Sequence, residues 1–62
     1  MRYEIYVFNG FHAWLRAEAK DLDEARAKAR EIERTSQEDF EGTALYDNLH
    51  CKWMDRHERE TA

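Results

Sequence analysis

The sequence predicts a small α+β domain: a mainly antiparallel sheet of three to four strands, with one helix packed on one face. Aromatic and branched residues flank the dipeptide Asn9-Gly10, and apolar residues recur at helical spacing between residues 22 and 35. A second apolar segment follows at 43–54. The predicted order of elements along the chain is therefore β-β-α-β-β.

The first hairpin is predicted from RYEIYVF at residues 2–8 and FHAWLRA at residues 11–17. Both segments are rich in the aromatic and β-branched side chains that strands favour. The dipeptide Asn9-Gly10 between them accepts positive φ at both central positions of a type I′ turn, whose twist matches that of the strands it joins. The sequence therefore predicts a tight turn here.

The register of this hairpin decides which side chains share a face, because a slip of one residue moves every side chain to the other face. A two-residue loop pairs Phe8 with Phe11 and separates Trp14 from Tyr6. A three-residue loop pairs Phe8 with His12 and places Trp14 opposite Tyr6. Turn chemistry favours the first register, whereas hydrophobic sorting favours the second. The sequence leaves both open.

The helix is predicted from its start signal and its periodicity. Asp21 followed by Glu24 is typical of a capping box, in which side chains accept hydrogen bonds from the first-turn N–H groups. Apolar residues then recur at spacings that put them on one helical face: Leu22, Ala25, Ala29 and Ile32. We expect a helix from about Leu22 to Thr35, and its small alanine side chains let it approach the sheet closely.

The remainder of the chain predicts a connection, a second hairpin and a tail. Phe40 lies in the polar connection at 36–42, and we expect it to fold back onto the core. Residues 43–54 predict a hairpin around Asp47-Asn48, or alternatively one long strand. A single domain would then span residues 1–54, and the polar tail at 55–62 would be frayed or loosely helical.

Composition limits the classes of function. The 62 residues carry 14 acidic and 10 basic side chains, a formal charge of -4, which argues against binding to a nucleic-acid backbone. The single cysteine, Cys51, fits a reducing compartment. The sequence shows neither a signal peptide nor a membrane-spanning segment. We therefore expect a cytoplasmic protein.

The chain shows no motif for catalysis, metal binding or cofactor binding. Cys51 and the histidines His12, His50 and His57 are the candidate soft ligands, and structural zinc sites need about four ligands in close pairs. We read the thiol as buried and the histidines as solvated. The acidic clusters fit a helix start and a solvated loop. The prediction is a protein without enzymatic activity, metal or cofactor.

The functional hypothesis comes from the hairpin, because in either register both faces carry several large apolar side chains. One helix covers one face only, and a large exposed apolar patch usually marks an interaction surface. We predict that Tyr6, Phe8 and Trp14 bind a protein partner. The chain would self-associate, or dock on a larger cytoplasmic protein as a small inhibitor or adaptor of mobile-element type. The alternatives are single-stranded nucleic-acid binding on the aromatic face, and a ligand-binding or enzymatic role without a visible motif.

The predicted cap gives a first test of the helix boundary. Replacing Asp21 with alanine removes the acceptor for the first-turn N–H groups, and should lower the free energy of unfolding by about 0.5–2 kcal/mol. Replacing Lys28 with alanine should cost only about 0.2–0.5 kcal/mol, because it removes a surface pair with Glu24. Denaturant melts measure both. Equal losses would place the start of the helix elsewhere.

Overall fold

The computed structural model describes residues 2–59, which form one sheet and one helix. The strands are β1 (Tyr3–Asn9), β2 (His12–Ala19), β3 (Gly42–Asp47) and β4 (Lys52–Glu58), and the helix is α1 (Leu22–Thr35). All strand pairs are antiparallel, in the order β2-β1-β3-β4. The predicted α+β class and the order β-β-α-β-β are confirmed.

The helix begins and ends where its sequence signals place it. Asp21 caps the N-terminus, since its Oδ1 accepts a hydrogen bond from the Glu24 amide at 2.8 Å. The Glu24 carboxylate in turn accepts from the Lys20 amide at 3.4 Å. Ala25 and Ala29 face the sheet and are fully buried. Their small side chains bring the helix axis close to the strands.

The first hairpin turns one residue later than either predicted register. Asn9 pairs with His12 as part of the sheet, so the loop consists of Gly10 and Phe11. Gly10 has φ +63°, whereas Phe11 is not among the residues with positive φ. Positive φ at the first loop position alone is the pattern of a type II′ turn, which takes glycine there. Both predicted registers are therefore wrong.

A β-bulge in β2 shifts the faces of the strand further. Ile5 pairs with Ala17, but Tyr6 pairs with Leu15. Arg16 is the additional residue between them, as expected of a bulge. The alternation that places even and odd residues on opposite faces therefore breaks at Arg16. No single register without a bulge could have described this strand.

The core lies between α1 and the face of the sheet that it covers. It consists of Tyr3, Ile5, Ala19, Ala25, Ala29 and Leu45, with Ala17, Leu22, Ile32 and Met54 packed against it. Phe40 is also buried, as predicted. Close packing of these side chains supplies the main favourable contribution to folding.

The second hairpin forms as predicted, but its loop is longer. Asp47 pairs with Lys52, and residues 48–51 form the loop. The Asp47 Oδ1 accepts hydrogen bonds from the amides of Leu49 at 2.9 Å and His50 at 3.4 Å, as in an Asx turn. Cys51 closes the loop with φ +52°.

The prediction of a frayed or helical tail at 55–62 is wrong as far as Glu58, because β4 extends to that residue. Its polar side chains find partners on the helix. Asp55 Oδ2 accepts a hydrogen bond from Arg26 at 2.7 Å, and His57 Nδ1 lies 2.8 Å from Glu33 Oε1. The part of the predicted tail at 60–62 lies outside the described residues.

Arg59, just beyond β4, joins the end of the helix to the following loop. Its guanidinium donates hydrogen bonds to the carbonyls of Glu33 at 2.9 Å and Glu38 at 2.8 Å, and also to that of Ser36. The same group lies 4.2 Å from the ring centroid of Phe40. A cation at carbonyls near a helix C-terminus is favourable, so Arg59 fixes the loop over the core.

This arrangement predicts a large effect from one side chain near the end of the chain. Arg59→Ala should lower the free energy of unfolding by about 1.5–3 kcal/mol, because it leaves several carbonyls without a charged donor. Arg34→Ala removes an exposed arginine of the same helix end, and should cost less than about 1 kcal/mol. Urea unfolding measures both losses. A loss of stability at Arg59 no larger than that at Arg34 would show that the hydrogen bonds from Arg59 to the three carbonyls do not stabilise the fold.

Candidate interaction surface

The face of the sheet opposite α1 is called here the open face. Cross-strand neighbours share a face, and the register places on it Glu4, Tyr6, Phe8, Ala13, Leu15, Glu18, Ala44, Tyr46, Trp53 and Arg56. Among residues 2–59, the single helix packs on the other face. The open face therefore presents mostly apolar side chains with a few charges near its borders.

Phe8 is buried on this face by contacts within the chain. A Cβ atom added at Gly42 would lie 2.9 Å from the Cζ atom of Phe8 and 2.2 Å from the carbonyl oxygen of His57. Both distances are too short for a side chain at position 42. Only glycine fits at this point of β3. The Arg56 guanidinium covers the same ring at 4.1 Å from the centroid. Phe8 is consequently 6% exposed, although no helix covers it.

Three aromatic rings form a second contact group on the open face. The Trp53 ring centroid lies 5.0 Å from those of both Tyr6 and Tyr46, with interplanar angles of 69° and 68°. Edge-to-face contacts of this kind are favourable. Trp53 is nevertheless 55% exposed. This face therefore leaves more than half of the Trp53 side chain in water.

Charged groups surround this aromatic group. The Tyr6 hydroxyl donates a hydrogen bond to Glu4 Oε1 at 3.0 Å, and this bond raises the pKa of Tyr6 above its usual value. Glu4 lies directly opposite Glu18 in the sheet, so two carboxylates mark one corner of the face. Arg56 lies on β4, at the opposite edge of the sheet.

A shallow hollow of about 310 Å³ occupies the other end of the open face. Its lining includes Phe8, Ala13, Ala44, Trp53 and Arg56, together with the hairpin tip at 10–12. The small alanine side chains leave this space between larger neighbours. Apolar groups predominate in the lining, and it contains neither a carboxylate nor a thiol. The hollow suits an apolar side chain better than a reacting substrate.

The structure brings two of the predicted partner-binding residues together and separates the third. Tyr6 and Phe8 lie on the open face. Trp14 pairs with Val7, which is fully buried, and so lies on the helix side of the sheet. The register that placed Trp14 opposite Tyr6 is wrong because the loop has two residues, Gly10 and Phe11, and not three. That these residues bind a partner stays a prediction.

Sequence reasoning missed Trp53 and Leu15 as members of the surface. Trp53 pairs with Tyr46 across the second hairpin, and this aromatic pair could have been found once the loop length was known. Leu15 reaches the open face because the turn at Gly10-Phe11 sets a register that pairs it with Tyr6. Both side chains are about half exposed, at 55% and 46%.

The candidate chemical groups are dispersed. Cys51 is exposed, so its predicted burial is wrong. His50 Nδ1 lies 2.7 Å from Asp47 Oδ2, and His57 bonds to Glu33 on the far side of the sheet. In the part of the chain that the structure describes, no group of three or more His, Cys, Asp or Glu side chains could hold a metal ion.

Comparison with protein-family models, with curated proteins and with solved structures finds no match for this chain. Within residues 2–59, no helix has both the length and the apolar character needed to cross a membrane.

The Asp47 carboxyl predicts an acid-dependent loss of stability. The hydrogen bond from His50, helped by backbone amides of the loop, lowers the pKa of Asp47 from 3.8 to about 2 in the folded protein. A group with a lowered folded pKa stabilises the fold above its unfolded pKa, and this contribution is lost as pH falls through the folded value. The free energy of unfolding should therefore fall between about pH 4 and pH 2.

Asp47→Asn should flatten this part of the pH profile, because the amide does not titrate. Urea unfolding at a series of pH values compares the two proteins. The same slope in both would show that Asp47 is not the group responsible.

Proposed function

We propose that this chain is a non-enzymatic protein-interaction module that binds a protein partner through its open face. The partner is a second copy of the chain or a larger protein, on which the domain acts as a small inhibitor or adaptor in the cytoplasm. The observation that supports this most directly is the half-exposed Trp53, held by Tyr6 and Tyr46 on a sheet face without a helix.

The energetic reason is the apolar area that the open face leaves in water. Full burial of a large apolar side chain is worth about 1.5–3 kcal/mol, and Trp53 and Leu15 each retain about half of that area for a partner. Tryptophan surrounded by polar groups is also typical of the centre of protein interfaces. Glu4 and Arg56 provide such a polar border.

The charges favour a protein over single-stranded nucleic acid. Glu4 and Glu18 face each other across β1 and β2, where a phosphate backbone would be repelled. The basic group on this face, Arg56, already covers the ring of Phe8. The rings of Tyr6, Tyr46 and Trp53 pack edge-on against one another, so they do not form a flat platform for bases.

The open face also supports a binding role more than a catalytic one. His12 is the one side chain lining the hollow that could exchange a proton near neutral pH. The lining has no carboxylate, thiol or other histidine to act with it in acid–base chemistry. It is shallow, and its floor consists of small apolar side chains. These features fit the insertion of an apolar side chain from a partner.

The proposal is tested in its simplest form by self-association. Sedimentation at micromolar concentration should give a mass above the 7.5 kDa of one chain. Trp53→Lys should restore the monomer, because it places a charge in the exposed apolar part of the open face. Trp14→Lys is the matched control, since it changes the same residue type on the other side of the sheet, and it should leave the association intact.

Circular dichroism of both variants checks that they remain folded, which is the expected result. A wild-type mass of one chain at every concentration would contradict self-association. An effect of Trp14→Lys equal to that of Trp53→Lys would show that the interface is not on the open face.

A further inference from the structure

A groove between α1 and β4, on the side of the sheet away from the open face, holds most of the arginines. It consists of two adjoining concavities of about 410 and 570 Å³, which share Arg30 and His57. Arg26, Arg30, Arg34, Arg56 and Arg59 line it. The Arg56 guanidinium lies over Phe8 on the open face, and that of Arg59 is bound to three carbonyls. The arginines available to a ligand in the groove are therefore those of the helix.

Arg30, at the centre of the groove, has few partners. Its Nε atom is buried without a hydrogen-bond partner. Its nearest carboxylate oxygen is Glu33 Oε2, at 3.5 Å from Nη2. That carboxylate already accepts hydrogen bonds from Thr43 at 2.5 Å and pairs with His57 at 2.8 Å. The Arg30 side chain is nevertheless 40% exposed and lines both concavities, so its guanidinium is accessible to a ligand.

The flanking arginines extend this site along the helix. Arg26, Arg30 and Arg34 are separated by four residues each, a rise of about 6 Å per step. Arg26 forms an ion pair with Asp55 at 2.7 Å. Arg34 forms an ion pair with Glu31, and its side chain is 73% exposed. Exposed pairs of this kind contribute little to stability, so a ligand can displace the carboxylates at small cost.

We propose that this groove binds a small ligand that carries two or three linked phosphate groups, with Arg30 as the central contact. The planar guanidinium donates paired hydrogen bonds to phosphate oxygens. Arg26, Arg30 and Arg34 outnumber the two carboxylates of the lining, Asp55 and Glu33, which suits a ligand of several negative charges. A long nucleic acid would extend beyond it onto a chain with a net charge of -4.

Calorimetric titration with inorganic tripolyphosphate tests the proposal. The titration is done at about 0.1 M ionic strength, because salt at this concentration screens diffuse charge effects. Saturable binding to one site is expected. Arg30→Gln should weaken it by about tenfold or more, since it removes a charged bidentate donor. Arg34→Gln, at an exposed position that folding does not need, should weaken it by about threefold. Arg16→Gln changes the charge equally outside the groove, and should alter binding by less than about twofold.

The same experiment can overturn the proposal in three ways. Saturable binding could be absent at millimolar tripolyphosphate. Arg16→Gln could weaken binding as much as Arg30→Gln and Arg34→Gln do, which would indicate diffuse attraction. A short single-stranded oligonucleotide could bind more tightly than tripolyphosphate at the same salt, which would identify a nucleic-acid site instead.

Discussion

Residues 2–59 form one helix and a sheet with two faces. Because one helix covers only one of these faces, the rest of the structure depends on how the other face is packed. The helix covers its face closely because Ala25 and Ala29 are its fully buried residues. That side supplies the core, with Ile5 and Leu45 at its centre. A domain of this size has little apolar area to lose. The packing and exposure of apolar side chains on the open face therefore affect both the stability and the function of the domain.

On the open face the chain buries some aromatic surface without a covering element. Phe8 fits against Gly42 and beneath the Arg56 guanidinium, so a glycine and a cation replace the missing helix. Trp53 gains less from its two tyrosine neighbours and stays half exposed. The face is thus divided into a part that is already packed and a part that is available. An interaction surface is expected at the available part.

The helix and the order of elements could be predicted from the sequence because their signals are local. The Asp21 cap and the alanine periodicity depend only on neighbouring residues. The first hairpin register could not be predicted, because Asn9-Gly10 and Gly10-Phe11 are both acceptable turns and the bulge at Arg16 has no sequence signal. Trp14 was assigned to the wrong face because hydrophobic sorting favoured the three-residue loop, whereas a two-residue turn at either position places Trp14 on the side of Val7.

Other features depend on contacts between distant parts of the chain. The last strand has polar side chains, which lack the alternating pattern of a half-buried strand. They are satisfied by helix residues about thirty positions away in sequence, as in the pair Arg26–Asp55 (29 positions). The arginine groove has the same origin, since it exists only because β4 lies beside α1. Of the candidate site, the open face itself and Tyr6 and Phe8 could be predicted, but Trp53 could not.

The central claim is that Trp53 is exposed in the isolated chain and becomes covered by a partner. Fluorescence of the Trp14→Phe variant, in which Trp53 is the remaining tryptophan, measures this directly. As protein concentration rises through the micromolar range, the emission should shift to shorter wavelength and quenching by iodide should decrease. Emission typical of a solvated indole, equally quenched at every concentration, would contradict association of the chain with itself through this face.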